Sequence, residues 1–171
     1  MDDRLPADGP ADDDQDYLLM VRDLPSDSAD VYAAWADLSR ITAWWGPAGF
    51  IVPPERITDH RRIGGDYHAC LVNTVTGDEM WWGGEYRILD PPNRFEVTQQ
   101  WQQANGSPVG PLTVIDVNIA PLGNSGEHPL TRMTLRQGPF TGDRELLGHQ
   151  SGWNQSFSRL AGYLARQDGR D

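Results

Sequence analysis

One long amphipathic segment near the end of the sequence, GDRELLGHQSGWNQSFSRLAGYLARQ, constrains the fold more than any other feature. Five of its apolar residues recur at helical spacing: Leu146, Trp153, Phe157, Leu160 and Leu164. The predicted helix runs for about 24 residues, or about 36 Å. Its apolar face must be buried against another element, so the rest of the chain has to supply a surface for it.

The chain from residue 50 to residue 137 is typical of antiparallel strands separated by turns. Clusters of Gly, Pro, Asn and Asp interrupt it at residues 53–54, 64–65, 76–78, 91–93, 105–108 and 123–126. Ile115, Val117 and Ile119 alternate with polar residues, and so do Met133 and Leu135. This alternation predicts strands with one buried face.

Residues 17–24 predict an earlier strand, and residues 28–45 predict one or two short helices. Gly46 and Pro47 follow Trp45, so we expect the second helix to end there, with Gly46 in the left-handed conformation. Because strands and helices occupy separate stretches, the sequence predicts an α+β fold. Its curved antiparallel sheet is expected to wrap the C-terminal helix.

Charge and cysteine content exclude several classes of protein. The net charge is −11, and all 14 basic residues are arginine. Such an acidic surface repels nucleic acid phosphates, so nucleic acid is not an expected partner. Cys70 is the single cysteine, which excludes an intrachain disulfide.

The chain is expected to form a single domain with two short tails. Residues 1–15 are predicted to be a disordered acidic tail because they contain almost no apolar anchor. Residues 16–167 form the predicted domain, and residues 168–171 form a C-terminal tail. With no secretory signal and no apolar run of about 20 residues, we expect a cytoplasmic protein without a membrane span.

Five motifs in this order resemble the SRPBCC (START-like) superfamily. They are WWGP at residues 44–47, GGDY at 64–67, YRILDPPNRF at 86–95, TRMTLRQ at 131–137, and Gly152-Trp153 with Leu160 and Tyr163-Leu164. The branch they look most like is the one named for the activator of the ninety-kilodalton heat-shock protein's ATPase. The resemblance covers residues 17–165.

The resemblance implies a helix-grip fold, with an apolar cavity between the sheet and the long helix. Members of the superfamily bind lipids, sterols or hormones, cyclise or aromatise polyketides, or act as co-chaperones. Fold therefore leaves function open, and the site must decide it.

The histidines and the cysteine could be reactive, but the sequence favours a structural role for them. The histidines His60, His68, His128 and His149 do not form a metal-binding motif, and His68 is expected on the outer face, in solvent. Cys70 is interpreted as a small buried apolar residue. No nucleophile elbow or nucleotide-binding loop occurs, so neither a metal nor a cofactor is predicted.

The aromatic residues carry the predicted binding site. Trp81 and Trp82 must point to opposite faces of a strand, and Trp44 and Trp45 diverge at a helix end, so one of each pair is expected in the cavity. The predicted ligand-binding residues are Trp44, Trp45, Phe50, Tyr67, Trp81, Trp82, Tyr86, Trp101, Met133, Trp153, Asn154 and Phe157. Further polar candidates are Gln99, Gln137 and Gln150.

The leading hypothesis is binding of a hydrophobic or aromatic small molecule in this cavity; no catalytic residue is predicted, and whether a reaction is catalysed is left open. A polyketide cyclase/aromatase-like enzyme is one alternative, and it requires a His, Arg or carboxylate in the cavity. A co-chaperone-like protein-interaction module with a chaperone partner is another, and it requires an exposed apolar patch on the outer sheet. The oligomeric state is left open, and one alternative is a homodimer with the outer tryptophan of the Trp81–Trp82 pair in its interface.

Overall fold

The computed structural model of the chain describes residues 16–167 and residue 169. The predicted acidic tail 1–15, and residues 168, 170 and 171 of the predicted C-terminal tail, lie outside the described residues. In chain order the elements are β1 (Asp16–Leu24), α1 (Ser28–Ala36), α2 (Leu38–Trp44), β2 (Phe50–Ile51), a short 3-10 helix (Pro54–Arg56), β3 (Thr58–Asp59), β4 (Asp66–Asn73), β5 (Glu79–Asp90), β6 (Arg94–Gln102), β7 (Thr113–Ser125), β8 (His128–Phe140) and α3 (Asp143–Gln167).

The described strands form one antiparallel sheet in the order β1-β8-β7-β6-β5-β4-β2, with β3 also paired to β4. Consecutive strands from β4 to β8 are neighbours, so the sheet is a meander whose last strand also pairs with the first. The curved sheet holds the long helix α3 against its inner face. The predicted α+β helix-grip fold, with two short helices after the first strand, is confirmed.

The alternating pattern of β7 and β8 supplies the inner face of the sheet. Ile115, Val117 and Ile119 are buried on β7, and Met133 and Leu135 are buried on β8. The residues between them on each strand point to the other face. The predicted one-sided burial is therefore confirmed.

Asp37 separates the two short helices. Its backbone N–H donates to the carbonyl of Ala33 at the end of α1, and its carboxylate accepts from the N–H of Ser39 in the first turn of α2 at 2.9 Å. A single residue therefore ends one helix and starts the next. Its hydrogen bonds to Ser39 lower the pKa of this carboxyl.

The turn after α2 follows the prediction made from WWGP. The helix ends at Trp44 with Trp45 as its C-cap, and Gly46 has a φ of +102°. The turn is fastened to α3, because the N–H of Gly46 donates to Ser156 Oγ at 3.1 Å and that of Ala48 donates to Gln155 Oε1 at 3.0 Å. One helix thus fixes the position of this loop.

Arg159 of α3 adds a second attachment for the same loop. Its guanidinium donates to the carbonyls of Gly46 and Phe50, each at 3.1 Å. Charged donors of this kind form stronger hydrogen bonds than neutral ones. The loop that carries Trp45 is consequently held on both sides of its turn.

Gly46 and Gly49 allow a matched test of this turn. Both have positive φ, but a Cβ at Gly46 would lie 2.5 Å from Leu71 Cδ2, whereas a Cβ at Gly49 would meet nothing within 4 Å. We expect Gly49→Ala to cost about 1 kcal/mol from backbone strain, and Gly46→Ala to cost about 1–3 kcal/mol more from overlap. Urea unfolding of both variants measures the difference, and equal losses would show that Leu71 moves aside freely.

Candidate ligand-binding cavity

A cavity of about 180 Å³ lies between α3, the inner face of the sheet and the loop after α2. It is partly open to solvent. An apolar cavity of about 150 Å³ in another protein binds benzene, so this one has room for a one- or two-ring molecule. Its lining residues are Trp45, Gly46, Pro47, Leu71, Met80, Trp82, Gln99, Trp101, Ile115, Gln137, Gly148, His149, Gly152, Trp153 and Ser156.

Missing side chains on α3 create much of this space. Gly148, Gly152 and Ser156 lie at four-residue spacing and line the cavity together. A Cβ added at Gly148 or at Gly152 would meet no atom within 4 Å. This row of α3 therefore leaves space in the cavity, while His149 and Trp153 of the same helix contribute large side chains to the wall.

Trp45 and Trp82 form a stacked aromatic part of the cavity wall. Their indole rings are parallel to within 2°, and the ring centroids are 5.5 Å apart. Both residues, together with Ile115, also line a second cavity of about 30 Å³. The stacked pair consequently separates a larger space from a smaller one.

A chain of buried hydrogen bonds ties three strands to α3 at the inner end of the cavity. The Nε2 group of Gln137 donates to Gln99 Oε1 at 3.1 Å and to Thr113 Oγ1 at 3.0 Å. The Oε1 atom of Gln137 accepts from Trp153 Nε1 at 2.7 Å. Buried amides need such partners, and together these residues connect β6, β7 and β8 to the helix.

His149 is the titratable side chain in the cavity wall. Its ring centroid lies 4.9 Å from that of Phe140 and 5.9 Å from that of Trp101. Its Nδ1 atom is 3.0 Å from the carbonyl oxygen of Glu145. A carbonyl oxygen only accepts, so Nδ1 carries a proton; Nε2 is buried and has no partner among the described residues.

The structure brings six of the predicted ligand-binding residues to the two cavities. Trp45, Trp82, Trp101 and Trp153 line the larger cavity. Tyr67 and Tyr86 line the smaller one, beside Trp45 and Trp82. Gln99 and Gln137, two of the polar candidates, lie at the larger cavity, and Gln150 does not.

Four other predicted residues lie outside both linings. Trp44 is 0% exposed, and its indole N–H donates to the carbonyl of Ala34. Met133 and Phe157 are core residues, and Phe50 is half-buried against the core. These four residues pack the fold and do not line the cavities.

Trp81 and Asn154 lie on the outside of the molecule. Trp81 donates through Nε1 to Glu79 at 2.9 Å, and its ring centroid is 4.7 Å from that of His68. Exposed Asn154 accepts a hydrogen bond from Arg22 at 2.6 Å. His68 therefore lies on the outer face as predicted, but half-buried against an indole instead of free in solvent.

Sequence reasoning missed the residues that shape the cavity. His149 and Ser156 lie four residues before and three residues after Trp153, so helical spacing from Trp153 could have found them. Gly148 and Gly152 lie in the same row as Ser156, but a glycine gives no hydropathy signal. Leu71 lies four residues after Tyr67 on β4, so strand alternation could have found it, whereas Met80 had no comparable signal.

Burial favours the protonated forms of two tyrosines and of the cysteine side chain. Burial raises the pKa of Tyr67, whose hydroxyl donates to the carbonyl of Thr98. Burial, and then the hydrogen bond to Asp59, raise the pKa of Tyr86. Burial also raises the pKa of the Cys70 thiol, so a thiolate nucleophile is disfavoured.

The described part of the chain offers neither a metal-binding cluster nor a membrane-spanning helix. No group of three or more His, Cys, Asp or Glu side chains comes together there to hold a metal ion. None of the described helices is both long and apolar enough to span a bilayer.

Comparison with known proteins places the fold. The sequence model of the family described as Activator of Hsp90 ATPase homolog 1-like protein matches residues 26–165. The crystal structure of the AHSA1 protein from Silicibacter pomeroyi is similar with a TM-score of 0.77 and 24% identity, over 89% of this chain and 99% of that one. A protein from Arthrobacter aurescens has a TM-score of 0.74, 21% identity and coverages of 88% and 86%. No curated protein matches the sequence.

The hydrogen bond from Trp153 to Gln137 can be tested against a tryptophan on the outer face. Trp153→Phe leaves Gln137 Oε1 buried without its donor, so we expect a loss of about 1–3 kcal/mol in the free energy of unfolding. Trp81→Phe removes an N–H bonded to exposed Glu79 and should cost less than about 1 kcal/mol. Urea unfolding of both variants measures this, and a smaller loss for Trp153→Phe would contradict a structural role for the amide chain.

Proposed function

Since the chain belongs to the family of Activator of Hsp90 ATPase homolog 1-like proteins, we propose that it binds a neutral hydrophobic or aromatic small molecule in the cavity against α3. The observation that carries this proposal is the combination of four tryptophans in the wall with two glycines on α3, the helix that also carries one of these tryptophans, Trp153. Aromatic walls and an unfilled centre suit a flat apolar ligand.

The charge of the cavity supports a neutral ligand. Among the described residues that line it, none has a carboxylate or a guanidinium group. A charged ligand would lose its hydration there without gaining an opposite charge. The net charge of −11 on the whole chain further disfavours anions near its entrance.

Binding of indane, an uncharged two-ring hydrocarbon, tests this proposal. We expect indane to change the tryptophan fluorescence of the protein, because four indoles surround the cavity. Gly152→Leu should weaken the binding at least tenfold by filling the cavity, and its first added atom, the Cβ, meets no neighbour within 4 Å. Isothermal titration calorimetry measures both affinities.

Gly162→Leu is the matched control on the same helix. Its Cβ would make an ordinary contact of 3.5 Å with the Arg166 guanidinium, and Gly162 does not line the cavity. It provides the same gain in helix propensity without filling the cavity. Equal indane affinity in the Gly152→Leu and Gly162→Leu variants would place the binding elsewhere and overturn the proposal.

A cyclase/aromatase-like activity is the second candidate, and His149 favours it. Such an enzyme needs a base near a ketone substrate, and His149 is in the wall with an Nε2 atom that no described residue contacts by a hydrogen bond. Because Nε2 is buried, the imidazole has to turn toward the cavity before it can take a proton from a substrate carbon.

Exchange of the hydrogens at C2 of 1-indanone for deuterium in heavy water tests this second candidate. If His149 is a base, the wild type accelerates the exchange at the carbon next to the carbonyl and His149→Phe abolishes the acceleration. His128→Phe is the control, since His128 is exposed at the start of β8. NMR measures the rates, and no acceleration by the wild type would leave binding without catalysis.

The protein-interaction hypothesis has one observation in its favour. Tyr17, Leu19 and Val21 alternate along β1, the edge strand, and Leu19 is 64% exposed on its outer side. The row is only one strand wide and is bordered by the ion pair of Arg132 with Asp23. A co-chaperone role therefore stays a prediction, and so does a homodimer, because Trp81 already contacts side chains of its own chain.

A further inference from the structure

The orientation of the buried amides at the cavity follows from one group that can only donate. The indole N–H of Trp153 has no acceptor atom, so the atom of Gln137 that faces it must be the carbonyl oxygen. The amide nitrogen of Gln137 then faces Gln99, which must present its own carbonyl oxygen. The orientation of each amide thus determines which atom of the next group must donate and which must accept.

Gln99 is the end of this chain, and its amide nitrogen has no partner. Its Oε1 atom accepts from Gln137 and from Thr113. Its Nε2 group donates to no atom among the described residues, although the side chain is only 5% exposed. Turning the amide over would set two donors against each other at Gln137, so the free group stays a donor.

Apart from the enclosed His149 Nε2, the other unpartnered polar side-chain groups of the described lining residues are also donors. The indole N–H groups of Trp45, Trp82 and Trp101 have no acceptor in the described part of the chain, in contrast to that of Trp153. The acceptors are occupied or enclosed: Ser156 Oγ accepts from Gly46, and His149 Nε2 is buried.

We infer that the ligand of this cavity carries a carbonyl oxygen or a similar acceptor, which receives a hydrogen bond from Gln99 Nε2. The inference rests on the proposed binding function and narrows it to aromatic ketones, quinones, lactones and related acceptors. Gln99 Nε2 is not one of the fully enclosed atoms that lack a partner, so it keeps access to the partly open cavity. A ligand that displaces water there leaves this donor unpaired unless it offers an acceptor, so an acceptor-bearing ligand gains from completing the chain. A ligand that offers only an N–H or O–H donor cannot complete it.

Two bicyclic probes of similar size and hydrophobicity separate these cases. 1-Indanone has an acceptor and no donor, whereas indole has a donor and no comparable acceptor. We expect the wild type to bind 1-indanone about three- to tenfold more tightly than indole, the range that one net hydrogen bond supplies. Gln99→Met should remove this preference by lowering the affinity for 1-indanone.

Gln100→Met is the matched control on the same strand. Gln100 donates to the carbonyl of Gly110 and does not line the cavity. Its replacement should leave the preference for 1-indanone unchanged. Calorimetry gives the affinities of the wild type and both variants for each probe.

NMR of the wild type provides a readout that does not depend on the folding of the Gln99 variant. The side-chain amide protons of Gln99 should move downfield with 1-indanone and not with indane. Equal affinity for indole and 1-indanone, an unchanged preference in Gln99→Met, or unmoved amide protons would each overturn the acceptor assignment and leave the binding proposal intact. If neither indane nor 1-indanone binds, or if Gly152→Leu weakens neither, the binding proposal fails as well.

Discussion

The hydrogen bond between the Trp153 indole and Gln137 joins the two layers of this fold at the place where they are least well packed. Trp153 belongs to α3 and Gln137 to β8, and the cavity lies beside both. Apolar contacts hold the helix to the sheet over the rest of its length, through Phe157, Leu160 and Leu164. At the cavity, where Gly148 and Gly152 leave space on α3, the hydrogen bond from Trp153 to Gln137 provides a directional link between helix and sheet.

The fold was largely predictable because its signals are repeated. Ile115, Val117 and Ile119 each support the same inner face, and the stripe on α3 repeats from Trp153 to Leu164. When several residues indicate the same buried face, one wrongly assigned residue does not change the prediction. The end of α2 was equally predictable from the sequence, since Gly46 and Pro47 end a helix through their backbone conformation alone.

The cavity was less predictable because it consists partly of what is missing. Trp45 and Trp82 could be assigned as members of pairs, but alternation alone does not tell which face of a strand is inner. Trp44 was expected near the ligand and is instead buried in the core, where its indole N–H donates to the carbonyl of Ala34. Gly148 and Gly152 contribute space, and a missing side chain gives no hydropathy signal.

Helix stability and cavity volume oppose each other at those two glycines. Each glycine costs about 1 kcal/mol of helix stability relative to alanine, yet no backbone strain or close neighbour requires glycine there. Random substitution at either site would therefore tend to yield a more stable protein with a smaller cavity. Selection for thermal resistance alone would erase the cavity, whereas screening residues of graded size at position 152 would yield receptors for progressively smaller molecules.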